Sequence, residues 1–477
     1  MISRFALALT LLSAALSLPV LAQNSVGRIS GTLTDLSGGV LPDADVTVTN
    51  AETQTSRIVR TDANGFFVVT NLPAGTYTVR VEKIGFKRAE KTGIALVADG
   101  RVTANLTLSV GDNAQTIEVV SAAAEVVNSV SGEIARVIDS EQVQNLALNG
   151  RNFLQLATLI PGSVITDADQ LNLTTSLSAT TQNINGNRGN STNQMVDGSF
   201  NLVAGSNGSL INNVGIDFIR EVKIQTSNFS SEYGRNSGAA VNVLTRGGTN
   251  GFHGSALEFF RNDVLDARNY FSPTKPRLRF NDFGYAFGGP VKRNKLFFFF
   301  GEEWKKIRRD TQPSRKSLPS TAQLNGNFSN LSNQLVFPGA TNPIPGNIIP
   351  PTSITADGMA IANVYRRMQS LAVTFADTPT ANNTVYQLNN PFNFREDIFR
   401  VDYPINDKHS VWARYLQDDN NLIEPYGTFS STLLPTVPTN RLRPGKSSAL
   451  GWTYVISPTL VFESRGSASW VDRKSVV

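Results

Sequence analysis

The chain has 477 residues, 40% of them hydrophobic and 17% charged, which is the balance of a folded protein with room for two or three domains and not of a disordered one. Its formal net charge is only +5 and no basic run is interleaved with aromatics, so nucleic acid is excluded as the main partner. It has no cysteine, which excludes a disulfide framework and a thiolate metal site.

The first elements read as an export leader. Arg4 supplies a short positive region, residues 5–21 are apolar and Ala-rich, and Val20-Leu21-Ala22 fits a cleavage site after Ala22. A membrane-anchoring helix is the alternative, but the stretch is short and ends in a cleavage pattern. No cysteine follows, so lipoprotein processing is excluded. No later segment is a transmembrane-helix candidate, so membrane insertion further on requires a barrel, which pairs all its backbone groups.

From residue 27 to 110 short β-rich runs recur (28–33, 44–49, 66–69, 77–81 and 102–108), separated by the turn signals 37–39, 62–65 and 73–75. That spacing predicts an immunoglobulin-like sandwich. Gly111-Asp112-Asn113 then breaks the pattern, and Thr116, Ile117, Glu118, Val119 and Val120 form a β-prone stretch readable as one more sandwich strand.

In the middle segment, 133–139 reads as a strand, and Ser140 is expected to cap a short helix over 141–146. Asp197-Gly198 fits a hairpin turn, and Arg188 fits a solvated loop cation. Beyond residue 250, strands are expected at 252–262, 281–289, 296–306, 395–404, 408–418, 446–456 and 459–471. The turns at 290–294, 404–407 and 457–458 are tight and the other connections long, the longest running over 307–394. All tight turns then fall on one side and all long loops on the other, as in an outer-membrane barrel. Phe283, Tyr285 and Phe287 alternate with Gly284, Ala286 and Gly288; Phe399, Val401 and Tyr403 alternate with Ile398, Arg400 and Asp402. Apolar rings are expected toward lipid, while Glu258, Arg400, Asp402, Arg414, Glu463 and Arg465 are expected to point into the lumen. A soluble β-sandwich also alternates, but the turn parity and so aromatic an exposed face favour the barrel. The fold class is therefore mainly β: a sandwich, an α/β middle domain, then an incomplete antiparallel barrel. Seven strands, and a last residue that is not aromatic, imply part of a longer protein, since a plugged barrel needs about 22 strands and open edges cannot face lipid.

Several segments resemble known families. Gly31–Asp35, Leu41-Pro42, the turn 61–67, 72–77 and Gly85-Phe86 resemble the carboxypeptidase regulatory-like domain. The resemblance does not imply peptidase activity. The two histidines, His253 and His409, lie in unrelated strands and read as ordinary strand residues, so no metal or cofactor is expected. Thr116–Val120 resembles a TonB box, the extended segment that TonB-dependent receptors offer to a TonB-type energy-coupling protein. Residues 123–250 resemble the plug of those receptors, above all through 184–198 with Gly186, Arg188, Gly189, Asp197 and Gly198, then Tyr233-Gly234-Arg235. A plug must meet a polar wall, and Arg188 and Arg235 suit that role.

The order of leader (1–22), sandwich (23–111), box-like linker (112–122), plug (123–250) and barrel (251–477) resembles the Oar-like branch of TonB-dependent outer-membrane receptors. That resemblance implies energised uptake of an extracellular ligand bound mainly by the 307–394 loop, with outer-membrane lipid and a TonB-type protein as partners. The ligand class, whether siderophore, oligosaccharide, peptide or protein, is not legible. Adhesion without transport is the alternative, using the Asn-, Pro- and Ser-rich stretches 325–333 and 338–351. An enzyme is disfavoured: the sequence has no Walker loop, zinc motif, Gly-x-Ser-x-Gly elbow or cysteine nucleophile.

Overall fold

The computed structural model describes residues 26–111, 116–120, 132–165, 182–203, 208–229, 233–234, 236–268, 270, 274–427, 434–457, 460–472 and 474–476. The leader and Ala22 lie outside these residues.

The first domain is a two-sheet sandwich. One sheet sets Val26–Asp35 between Phe66–Pro73 on one side and Arg101–Thr103 with Leu106–Leu108 on the other. The second runs in the order Ser56–Arg60, Asp45–Asn50, Gly75–Glu82, Arg88–Leu96, Thr116–Val120. Burial alternates along Val26–Asp35, so Ile29 and Leu33 enter a core with Val46, Val79 and Leu108. Tyr77 is buried there and donates its hydroxyl to the Pro73 carbonyl at 2.7 Å, which pins a corner of the sandwich in the manner of immunoglobulin-like folds. Arg88–Leu96, which the turn pattern does not mark, is the partner of the candidate box. Thr116–Val120 pairs with it in parallel, Arg88 opposite Thr116 through Thr92 opposite Val120. This stretch is thus a strand of the sandwich sheet, which extends past residue 111.

The middle domain centres on a five-stranded sheet in the order Ile134–Ile138, Ile219–Ser227, Ala239–Thr245, Thr192–Val196, Ser199–Phe200. The helix is Ser140–Asn145, and its cap is Asp139, whose carboxylate accepts the Gln142 amide at 2.9 Å. Ser140 is the first helical residue and not the cap. The carboxylate satisfies an otherwise orphaned N–H. The Thr192–Val196/Ser199–Phe200 hairpin turns through Asp197 (φ 48°) and Gly198 (φ 74°), the paired left-handed conformation of a two-residue hairpin loop.

The third unit is an antiparallel meander of seven long strands: His253–Asn262, Leu278–Lys292, Leu296–Arg309, Phe392–Pro404, His409–Glu424, Gly445–Ser457 and Leu460–Val471. Each long strand pairs with its neighbour in sequence, and two short strands, Thr439–Leu442 and Lys474–Val476, extend one end of the sheet. The expected turn parity holds. Phe287, Phe300, Phe399 and Tyr415 form one cross-strand row on the outer face. Near the tight turns His409 stacks on Tyr454 with ring centroids 4.4 Å apart, beside Trp452 and Phe462, as at a membrane interface.

Five of the six charges expected in the lumen face inward; Glu258 does not. Ser255 Oγ lies 3.3 Å from Asp217 and the Arg151 guanidinium lies 4.2 Å from the Phe259 ring, both against the middle domain. Those contacts turn the odd-numbered residues of the first strand inward and Glu258 outward, into a row with Phe283, Trp304 and Arg395.

The long connection between the third and fourth strands is a folded module. It carries a small sheet of Ser314–Lys316, Thr384–Tyr386 and Thr374–Phe375, and a helix Ala356–Ser370 capped by Thr355. Leu318, Met368 and Tyr386 form its core. The stretches 325–333 and 338–351 fold around the buried Asn347, whose amide donates to the Asn333 carbonyl at 3.0 Å and accepts the Leu335 N–H at 2.9 Å.

Candidate plug–wall site

The inner face of the meander packs against the middle domain, and the contact has an apolar part and a charged part. The apolar part joins Phe218, Val222 and Val241 of the domain to Ala286, Phe299, Ile398 and Leu416 of the wall. Phe218 meets Phe299 edge-on at 6.4 Å and lies over Gly301, where any side chain would overlap its ring.

The charged part centres on Asp197. The hairpin conformation that Gly198 permits aims this carboxylate at the wall. It accepts the Thr245 N–H at 2.9 Å and the Thr245 hydroxyl at 2.8 Å, and it pairs with Arg400 at 3.0 Å and Arg414 at 3.5 Å. Arg400 is also held by Asp402 at 2.8 Å. Arg414 is 3% exposed, and among the described residues Asp197 is its only ion-pair partner. A buried guanidinium with one carboxylate depends on that carboxylate for most of its compensation.

A second charged seam lies along the same wall, nearer the long loops. Arg151 pairs with Asp217 in its own domain and reaches Asp282 of the wall at 3.4 Å. Lys305 lies 2.8 Å from Glu303 and 4.0 Å from Asp282. The loop before Phe218 is tied across the gap: Asn213 donates its backbone N–H to Asp418 at 2.6 Å and its side-chain amide to Glu396 at 2.9 Å. Arg443 donates to the Leu210 carbonyl at 2.6 Å.

The opposite face of the domain carries the sandwich. Glu221 is buried and its carboxylate accepts the Ala98 N–H at 2.6 Å; burial raises its pKa above the ordinary 4.5. Lys223 pairs with Asp99 and with Glu133, each at 2.9 Å, and Arg220 with Glu52 at 3.1 Å. The Asn250 N–H donates to the Glu52 carbonyl at 3.0 Å, while its side-chain oxygen accepts the Asn294 N–H at 2.8 Å. The sandwich therefore sits under the tight turns. A cavity of 160 Å³ lies where the three units meet, lined among others by Glu52, Arg220, Asp197, Arg400, Asp402 and Glu463.

Of the residues singled out in the sequence, Asp197 and Gly198 lie at the wall. Tyr233 is buried with Met195 and Ala240. Gly186 occupies an open turn at φ 73°, Gly189 starts a single helical turn, and Gly234 is exposed. Arg188 is exposed and makes no ion pair among the described residues, and Arg235 lies outside the described residues. The residues that do meet the wall, Arg151, Asn213 and Asp217, follow no period in the sequence.

Residues 244–476 match the family described as Outer membrane beta barrel domain, and residues 28–109 match the Carboxypeptidase regulatory-like domain. The chain is thus an outer-membrane β-barrel protein with a carboxypeptidase regulatory-like domain ahead of the barrel. It is a homologue of the TonB-dependent transporter Oar of Myxococcus xanthus, 31% identical over 299 residues, which are 59% of this chain and 26% of that relative. The chain therefore spans about a quarter of the length of the curated relative it matches. Solved structures it is similar to include the outer membrane transporter YddB from Escherichia coli (10% identity, TM-score 0.41, covering 71% of this chain and 38% of that one). Another is the siderophore receptor PirA from Pseudomonas aeruginosa (11% identity, TM-score 0.39, covering 71% and 41%).

Proposed function

We propose that the protein is a TonB-dependent receptor that takes up a ligand across the outer membrane, with residues 123–250 as a plug gating the barrel. The supporting observation is the plug–wall contact: Asp197 with Arg400 and Arg414, and Asn213 with Glu396 and Asp418. Such a contact holds the plug at rest, yet water can replace its hydrogen bonds once the plug moves. The work is mechanical. Ligand binds on the long-loop side, where the 310–391 module stands. A TonB-type protein grips Thr116–Val120 on the sandwich side and draws the plug from the lumen.

Scrambling Thr116–Val120 tests this reading. Energised uptake should be abolished while binding of ligand to whole cells persists; uptake at the unmodified rate would refute it. Adhesion is the second reading, favoured by the exposed Met359, Ile361 and Val364 on the helix Ala356–Ser370 of the loop module. Under adhesion alone, the scrambled protein behaves as the unmodified one in every assay.

A further inference from the structure

The candidate box does not hang free below the plug. Five successive residues, Thr116–Val120, pair in parallel with residues 88–92, and this strand is the last of its sheet, so its outer edge is open among the described residues. The chain leading to it is tied down as well: the Lys87 N–H donates to the Ser109 carbonyl at 2.8 Å, and the Gly111 N–H to the Gly85 carbonyl at 3.1 Å. The sandwich that carries the strand is docked on one plug strand, Ile219–Ser227, through Arg220, Glu221 and Lys223. A continuous path of hydrogen bonds and ion pairs thus runs from the box, through the sandwich, into the plug sheet.

We propose that the sandwich is the handle of the plug: the energy-coupling partner adds a strand to the open edge of Thr116–Val120 while that strand stays paired with residues 88–92. The load then enters the plug through the Glu221 and Lys223 contacts. This rests on the reading of Thr116–Val120 as the TonB box. Strand addition to an open edge uses main-chain groups only and breaks no bond already made, whereas strand exchange would first strip the ladder to residues 88–92.

Residues 1–477 contain no cysteine, so a pair introduced among them meets no other thiol of this segment. Glu90 and Glu118 are register partners, and neighbouring strands lie about 4.8 Å apart, within reach of a disulfide. The variant Glu90→Cys/Glu118→Cys is titrated with the purified periplasmic domain of the TonB-type partner, oxidised and then reduced; Arg88→Cys/Thr116→Cys repeats the test at the strand end. The expected result is a disulfide that forms readily and partner affinities for the two forms within about twofold of each other, under 0.5 kcal/mol. Amide exchange at residues 88–92 stays slow when partner is added to the unmodified protein. Binding lost on oxidation and regained on reduction, or exchange at 88–92 accelerated by partner, overturns the handle and leaves the box reading standing. A pair that does not oxidise overturns the stored strand itself. Absence of binding by the unmodified protein removes the box reading and the handle together.

Discussion

Replacing Asp197 probes the proposed gate at its most exacting point. In Asp197→Ala the Arg414 guanidinium, 3% exposed, loses its ion-pair partner, Arg400 keeps Asp402 as its ion-pair partner, and the Thr245 N–H and hydroxyl lose their carboxylate acceptor. Removing one partner from a buried ion pair costs about 3–5 kcal/mol. Asp197→Asn keeps an acceptor for Thr245 but not the charge, and is expected near the lower end. The assay is native-state amide exchange of the strand Ala239–Thr245 in the detergent-solubilised full-length protein. A loss of 3–5 kcal/mol accelerates exchange by about two to four powers of ten. Adding Arg414→Met to Asp197→Asn should recover part of the loss, because an apolar pair of similar volume needs no compensation for buried charge. Exchange accelerated less than about tenfold by Asp197→Ala, or strictly additive effects in the cycle, would refute the reasoning.

Three other outcomes are expected. Gly301→Leu forces the Phe218 ring off Phe299 and should destabilise the plug–wall contact by about 1–3 kcal/mol, with Phe218→Ala relieving part of the cost; denaturant unfolding of the double variant checks the coupling. The Glu221 pKa is raised by burial, so this group's contribution to docking of the sandwich on the plug should be fully present below pH 4.5 and lost as pH rises through the docked value. Glu221→Gln should lack that pH-dependent loss, and docking that strengthens with pH relative to Glu221→Gln would contradict the sign. Tyr77, pushed up to about 12 by burial, should cost the sandwich stability as pH rises from 10 through 12. Tyr77→Phe should lack that loss while costing about 1–3 kcal/mol at neutral pH through the unpaired Pro73 carbonyl, both read by exchange at the Gly75–Glu82 strand.

The meander was legible because its signal is local. A period of two, repeated over strands of ten residues or more and punctuated by tight turns of constant parity, leaves one topology. Glu258 failed because parity within a single strand depends on what the strand packs against, here Asp217 and Arg151. The sandwich was legible from its turns, except Arg88–Leu96, whose Lys91-Thr92-Gly93 centre weakens the apolar alternation. The 310–391 module was hidden: its core residues Leu318, Met368 and Tyr386 are spread over the loop, and the Thr355 cap of its helix sits among Pro- and Asn-rich turns. Asp197 was found through a motif, but its partners were not. Asn213 bonds residues 183 and 205 positions away, and no periodicity reaches so far.

The most direct measurement ties the plug to the wall. Asn213 and Glu396 meet across the interface, side-chain end to side-chain end at 2.9 Å, so Asn213→Cys/Glu396→Cys places two thiols within the span of a short bis-thiol reagent with a reducible spacer, in a segment that has no other cysteine. Energised ligand uptake by cells carrying the variant should stop on cross-linking and return when the spacer is reduced, with surface binding unchanged throughout. Uptake at the unmodified rate through the cross-linked protein would mean that the plug need not leave the wall, and the proposed gate would not exist.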